Sequence, residues 1–334
     1  MRHFCTYFDS GYLSRAMVLH QSLARHAAPF TLWVLCFDEA AHRILKEMAL
    51  PGVVPIGLEE VEDDALRAVK PSRSRVEYYF TCTPSFILFL LRTHPQIEIL
   101  YYVDADLMFF ADPVVIEREL GDGAVFIVEH GFRDGGDSAR KHGTYNVGLV
   151  GFRNDDRARA CATWWRERCL EWCYDRYEEG RYADQKYLDT WPERFEGVMV
   201  SRNLGVGVGP WNLANHPVSL QNGTVCIATA PLVFFHYHGL RRLWHGLYDP
   251  NIGAYGVRFT RSIRDGIFVP YVAALRANER ALAPYTASLR IAGVSRIRAR
   301  GRLPLWKHAW RRVLEALVFC RSLLSGQLLW YPGR

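Results

Sequence analysis

At 334 residues the chain can hold one large domain, or one domain with a sizeable extension, and its balance of 49% hydrophobic to 23% charged residues excludes a disordered or collagenous protein. Its 10 Trp and 17 Tyr suit a thick core and a sugar-binding surface equally. The net charge of +6 is uneven: Arg290–Arg334 holds ten Lys or Arg against one acid, Glu315, so this segment carries +9 and the remainder −3. The eight cysteines form no CxxC pair, and several stand in apolar runs, which predicts free buried thiols in a reducing compartment. MRHFCTYFDSGYL offers no apolar leader, and no stretch reaches the roughly 20 consecutive apolar residues of a membrane span. The expected location is therefore cytoplasmic.

In chain order, His3–Asp9 (HFCTYFD) reads as a strand and YLSRAMVLHQSLARH as the helix behind it. Phe30–Asp38 (FTLWVLCFD) is a second buried strand, followed by a helical EAAHRILKEMA and a short strand, VVPIGL. TPSFILFLLRTH predicts a buried helix, and IEILYYVDAD the next strand. AVFIVEH and YNVGLVGFR are further strands. RARACATWWRERCLEWCYDRYEEG predicts one long helix with Cys161, Trp165, Cys169 and Trp172 on its apolar face. Such alternation predicts an α/β domain with a central, mostly parallel sheet flanked by helices. Ligands of such sheets bind beyond the carboxyl ends of the strands, where Asp9, Asp38 and Asp104 fall.

LYYVDADLMFFADP carries the sharpest chemical signal. An almost unbroken apolar run leads into Asp104 and Asp106, then resumes with Leu107–Phe110. Burying an uncompensated carboxylate costs several kcal/mol or more, so such a pair needs a counter-charge. Two hard oxygen donors one residue apart suit Mn²⁺ or Mg²⁺ shared with a diphosphate. A surface turn explains most isolated D-x-D matches, but the apolar flanks disfavour it here. A haloacid-dehalogenase-type phosphotransferase would continue with Gly-Thr or Gly-Val, whereas Leu107-Met108 follows. A second signal is FFHYHGLRRLW, where His236 and His238 share one side of a strand. Imidazole is an ordinary further ligand for Mn²⁺, and Arg241 or Arg242 would neutralise phosphate oxygens. His238 reads equally well as a satisfied core group.

TYFDSGYLSRAMVLHQSL, YYVDADLMFFADP, YNVGLVGFR, DQKYL and HYHGLRRLW occur in one order. In that order the sequence resembles glycosyltransferase family 8 and its bacterial relatives over about residues 3–245. The resemblance implies a GT-A-type nucleotide-sugar-binding catalytic domain in residues 1–245, followed by a helical, basic amphipathic region in residues 246–334. It implies that Thr6, Asp9 and Tyr12 line the nucleotide base pocket. Asp104 and Asp106, with His236, would hold Mn²⁺ or Mg²⁺ on the diphosphate. Asn146 and Gly148 would border the donor sugar, Asp184 and Gln185 would face its anomeric carbon, and Gly239 and Arg242 would meet a phosphate. Taken singly, Asp9 reads as a helix cap, Asn146 as a turn residue and Asp184 as part of a solvated loop.

The implied activity is metal-dependent, configuration-retaining transfer of a hexose from a nucleotide sugar, expected to be a UDP-hexose. The implied acceptor is a glycan or lipid-linked sugar, as in bacterial lipopolysaccharide or surface polysaccharide synthesis. A catalytically silent nucleotide-sugar-binding scaffold and a sugar nucleotidyltransferase are the alternatives. One departure is visible: family members carry Arg or Lys in the helix before the metal strand, where TCTPSFILFLL places Ser85. Lys70, Arg73 or Arg75 upstream would have to substitute. LGVGVGPWN is no dinucleotide fingerprint, because its glycines alternate and no helix pattern follows; Trp211 in it would stack on a pyranose or pack in the core.

In the basic tail, Trp306, Trp310, Val313, Leu317, Cys320, Leu324 and Leu328 recur at three or four residues, interrupted by Lys307, Arg311, Arg312 and Arg321. This pattern predicts an amphipathic helix on an anionic membrane surface, placing the protein at the inner face of the membrane. Packing on the catalytic domain is the plainer alternative. The acidic body offers no basic track for nucleic acid, so none is expected as a partner.

Overall fold

The computed structural model describes residues 1–133, 136–244, 246–291, 326 and 328–331. Among these, a seven-stranded sheet forms the centre, built from β1 (Arg2–Phe8), β2 (Phe30–Cys36), β3 (Val53–Gly57), β4 (Ile99–Val103), β6 (Val125–Glu129), β7 (Tyr145–Arg153) and β8 (Val198–Val200). The spatial order is β3-β2-β1-β4-β7-β6-β8. β1, β2, β3 and β4 run parallel and β6 runs parallel to β8, while β7 lies antiparallel between β4 and β6. The expected mostly parallel α/β sheet is therefore present. Helices Leu13–His26, Glu39–Met48 and Arg75–Thr93 make the crossovers between its parallel strands.

Strand alternation divides the core. Phe4 and Phe8 of β1 point into one cluster with Leu13, Met17, Leu32 and Val34. Cys5 points into the other, with Trp33, Leu35, Cys82 and Tyr102. A third cluster holds Phe235, Tyr237, Phe268, Tyr271 and Leu329. Beside it, β5 (Leu107–Phe109) pairs antiparallel with β12 (Phe234–His236). β9 (Val218–Gln221), β10 (Thr224–Ile227) and β11 (Ala230–Pro231) make one small sheet. β13 (Arg241–Trp244), β14 (Leu247–Asp249) and β15 (Leu329–Trp330) make another. Helix Val269–Ile291 docks on helix Leu13–His26, where buried Asn278 exchanges hydrogen bonds with Gln21 and donates to the Ser14 carbonyl.

Two helix boundaries differ from expectation. The helix expected from Thr83 starts at Arg75, where Ser74 and Glu77 form a reciprocal capping box, and Pro84 lies inside it. The long helix expected to run to residue 180 ends at Glu171, and Trp172 is extended. Its last carbonyls find distant partners instead: Arg73 donates to Leu170 O at 3.1 Å and Tyr187 to Trp172 O at 2.7 Å. Cys161, Trp165 and Cys169 are buried as its spacing requires. The seven described cysteines are free and buried, as expected. No helix among the described residues is long and apolar enough to cross a membrane. The tail helix expected between Trp306 and Leu328 lies outside the described residues except for Gly326 and Leu328.

Candidate active site

β4 ends at Val103 and delivers Asp104, whose N–H donates to Gly148 O of β7 at 3.0 Å. Asp106 directly precedes β5, and the antiparallel register of β5 with β12 sets Leu107 opposite His236. Tyr237 N–H donates to Asp106 O at 3.0 Å and closes the pair. Two segments 130 residues apart in sequence thus become neighbours through one short ladder. His236 Nε2 lies 3.1 Å from Asp106 Oδ1 and 3.5 Å from Asp104 Oδ2.

One donor atom from each of Asp104, Asp106 and His236 lies within 4.8 Å of the others. Ligands about 2.1 Å from an octahedral ion and at right angles sit about 3 Å apart, so the spacing fits Mn²⁺ or Mg²⁺. Asp106 and His236 are buried, and the donor set of two carboxylates and an imidazole suits a hard to borderline divalent ion. His236 Nδ1 is buried without a hydrogen-bond partner and faces the Asn146–Gly148 segment of β7.

The electrostatics answer the question raised by a buried Asp106 beside a half-buried Asp104. Burial opposes a charge on His236, but the Asp106 and Asp104 carboxylates raise its pKa above the ordinary value. Burial pushes Asp106 up, yet His236 beside it holds its carboxyl below the usual range. Asp104 remains raised, chiefly by burial and with repulsion from Asp106. Without a metal, an imidazolium is the counter-charge of the pair.

The other predicted residues occupy distinct places around this centre. Thr6 is fully buried in β1, its hydroxyl without a hydrogen-bond partner. Asp9 follows β1, accepts from Gly11 N–H at 2.8 Å and pairs with Arg75, while Tyr79 OH donates to it at 3.0 Å. The Tyr79 ring stacks on Phe37 with centroids 3.8 Å apart, giving a flat aromatic wall. Tyr12 is 42% exposed, with the Arg15 guanidinium 4.8 Å above its ring.

Asn146 Nδ2 donates to His130 Nε2 at 2.9 Å, and its Oδ1 accepts from Gly148 N–H at 2.8 Å. His130 Nδ1 in turn donates to Gly143 O at 3.1 Å, and burial keeps this imidazole neutral, its pKa lowered to about 3. A Cβ on Gly148 would come within 2.6 Å of His236 Nδ1, so this close approach admits glycine only.

Asp184 is buried, accepts from Thr83 Oγ1 at 3.0 Å, and through its carbonyl accepts from Trp165 Nε1 at 2.7 Å. Burial, with help from Asp104, raises its carboxyl to about 7. Gln185 Nε2 donates to His142 O at 2.9 Å. Gly239 takes a left-handed φ of +74° in the turn after β12. Arg242 is exposed and pairs with Glu279 at 2.8 Å.

Several participants escaped the sequence reading. Tyr102 OH donates to Asp104 Oδ1 at 2.6 Å; two residues apart on one strand, they share a face, which is a usable signal. Thr83 and His130 carried none. Thr83 Oγ1 also lies 3.2 Å from Tyr7 OH, so a run of hydroxyls lines the space between Asp184 and the metal strand. Ser85 is buried and accepts from Arg166 Nε at 3.0 Å, while Arg166 also pairs with Asp63. Of the suggested upstream cations, Lys70 pairs with Glu62, Arg73 lies over Tyr174, and Arg75 pairs with Asp9. Trp211 is buried, edge-on to His236 at 5.2 Å and to His238 at 6.0 Å, which is a packing role.

No family model matches the chain. The uncharacterized protein YfnF of Bacillus subtilis (strain 168) is 33% identical over 246 residues, covering 71% of this chain and 81% of YfnF. YfnD of the same organism is 32% identical over 245 residues, covering 71% and 77%. Among solved structures, the galactosyltransferase LgtC, in complex with donor and acceptor sugar analogs, superposes with a TM-score of 0.54. The sequences are 16% identical, and the match covers 82% of this chain and 95% of LgtC. An active-site glutamine-to-glutamate mutant of LgtC gives 0.50 at 16% identity, covering 73% and 89%. At such identity the likeness establishes the fold, which is GT-A.

Proposed function

The chain belongs to the family of YfnF and YfnD, and from that premise and its GT-A fold we propose that it is a metal-dependent glycosyltransferase. Its donor is a nucleotide sugar, a UDP-hexose in the simplest case, and its acceptor a glycan or lipid-linked sugar of a bacterial surface polysaccharide. The observation that carries this reading is the convergence of Asp104, Asp106 and His236 at ligand spacing beyond the carboxyl end of β4. LgtC, whose fold this is, was solved with donor and acceptor sugar analogs, which supports sugar substrates of both kinds.

Bound Mn²⁺ or Mg²⁺ would screen the diphosphate and make it a better leaving group. The chain's own residues supply the rest. Asp9 and Tyr12, with the Phe37–Tyr79 wall, receive the base, while Thr6 is fully buried within β1 and does not face it. Asn146, fixed by neutral His130, and Gly148 border the sugar; Gly239 stands by the phosphates, which Arg242 would reach only on leaving Glu279. Asp184 and Gln185 stabilise positive charge at the anomeric carbon from the face opposite the leaving group. The anomeric C–O bond to the diphosphate breaks, the acceptor hydroxyl attacks from the leaving group's own face, a phosphate oxygen of that leaving group takes its proton, and configuration is retained. A covalent intermediate on Asp184 is the alternative to this electrostatic role. Residues 1–245 form the catalytic region, and the basic remainder attaches the protein to the anionic inner face of the membrane.

The test is Mn²⁺-dependent release of nucleoside diphosphate from a panel of nucleotide sugars, with and without acceptor. The Asp104→Ala/Asp106→Ala variant is expected to lose at least about 100-fold in kcat/KM. Full Mn²⁺-dependent turnover in that variant rules out the site. A second reading, nucleotide-sugar binding without turnover, is favoured by Ser85, which stands at the expected basic position with Arg166 held away on Asp63. Binding in the complete absence of donor hydrolysis would establish it.

A further inference from the structure

Three arginines near the proposed cleft are already matched to acids: Arg75 to Asp9, Arg241 to Asp249 and Arg242 to Glu279. Arg15 is not. It projects from the first turn of helix Leu13–His26, half-buried, and no carboxylate pairs with it among the described residues. Its contacts include the face of Tyr12, 4.8 Å from the guanidinium, the carbonyl of Leu240, which accepts from Nη2 at 3.1 Å, and the hydroxyl of buried Tyr271. Leu240 belongs to the turn that leaves β12 directly after His236 and contains Gly239.

We propose that Arg15 is a diphosphate-binding residue, reaching from the first helix to the His236–Leu240 turn to meet the donor's phosphate oxygens beside the metal ligands. This rests on the glycosyltransferase reading of the site and adds a residue that none of the sequence motifs assigned. A guanidinium has five N–H donors in a planar fork, and Leu240 and the Tyr271 hydroxyl engage only part of it, so donors remain for phosphate. Taking a guanidinium partly out of water without an acid is costly unless an anion joins it.

A plainer role is possible to separate: Arg15 as a pin for the Leu240 turn. Calorimetric titrations of Mn²⁺ alone, of UDP with saturating Mn²⁺, and of pyrophosphate with saturating Mn²⁺ distinguish the two. The wild type is compared with Arg15→Gln, Arg15→Lys and Arg25→Gln, an exposed control on the same helix. Pyrophosphate makes the comparison independent of the base. Loss of a charge-assisted bidentate contact is expected to weaken UDP and pyrophosphate about 10- to 100-fold in R15Q. Mn²⁺ binding should be unchanged or tighter, R15K intermediate and R25Q like the wild type. R15Q binding pyrophosphate as the wild type does overturns the inference and leaves the enzyme reading standing. So does a loss in Mn²⁺ affinity equal to the loss in pyrophosphate affinity, because the residue then acts through the turn. A wild type that binds neither UDP nor pyrophosphate with Mn²⁺ overturns both.

Discussion

His236 is both the partner that lets Asp106 be buried beside Asp104 and the proposed third ligand of a bound ion. Its pKa stands above the ordinary value because of Asp106 and Asp104, so a metal must displace a proton to bind. Mn²⁺ affinity should therefore weaken as pH falls through the raised pKa of His236, with proton release seen by calorimetry in buffers of different ionisation enthalpy. Binding that is independent of pH between 5 and 8 contradicts this arrangement. Gly148→Ala tests the cradle from the other side. The added methyl would crowd His236 Nδ1 and Asn146 Oδ1, and at least a tenfold loss of Mn²⁺ affinity is expected with Asp104 and Asp106 intact. At this scale the acid pair was legible because its apolar flanks made burial, and hence a counter-charge, compulsory. Tyr102 could have been read from strand periodicity. His130 could not: its value lies in a chain of hydrogen bonds through Asn146 to Gly148 that only the β6–β7 pairing creates.

Between elements, Asp184 depends on two helices that sequence reading delimited poorly. Helix Arg75–Thr93 offers Thr83 and helix Asp156–Glu171 offers Trp165, so the loop carrying Asp184 is fixed by both. Their apolar periodicity was plain, but their ends were not. The first helix starts at a capping box well upstream of its apolar stretch, and the second stops where Arg73 and Tyr187 take its final carbonyls. Long-range partners of this kind leave no local trace in a sequence. The buried site has a thermodynamic consequence. In the folded protein the Asp184 carboxyl binds its proton more tightly than the ordinary value of 3.8, because its pKa is about 7. Stability that this group contributes in acid is thus lost as pH rises from about 4 through 7. Asp184→Asn removes the dependence while keeping an acceptor for Thr83. The variant should gain on the wild type across that interval, by at most roughly 4 kcal/mol above pH 7, measured by urea denaturation at pH 5 and pH 8. An equal difference at both pH values would mean that Asp184 titrates as an exposed acid.

At the scale of the whole molecule, the excess positive charge is confined to the stretch from Arg290 onwards. The α/β body was readable because helices Leu13–His26 and Glu39–Met48 follow their strands within a few residues, whereas the small sheet β13-β14-β15 joins segments about 80 residues apart in sequence. β15 returns the chain to β14: Leu329 is buried in the third cluster, and Arg276 donates to Tyr331 O at 2.9 Å. Residues 292–325, with eight Lys or Arg against Glu315, are therefore flanked on both sides by segments fixed to the body. This bears on how the proposed membrane attachment is tested. Deleting residues 300–334 would also strip β15 and uncover its apolar partners, costing about 2 kcal/mol for Leu329 alone. Replacing Arg296, Arg298, Arg300 and Arg302 with Gln changes charge and leaves that strand in place. Each Lys or Arg near an anionic surface is worth about 1 kcal/mol, so the four changes should cut binding to phosphatidylserine-containing vesicles by on the order of 100- to 1000-fold. Neutral vesicles should bind both proteins equally weakly, and salt should abolish the difference. Sedimentation with the two vesicle types reads this directly. Undiminished binding of the fourfold variant to anionic vesicles would assign the basic segment to something other than a membrane surface.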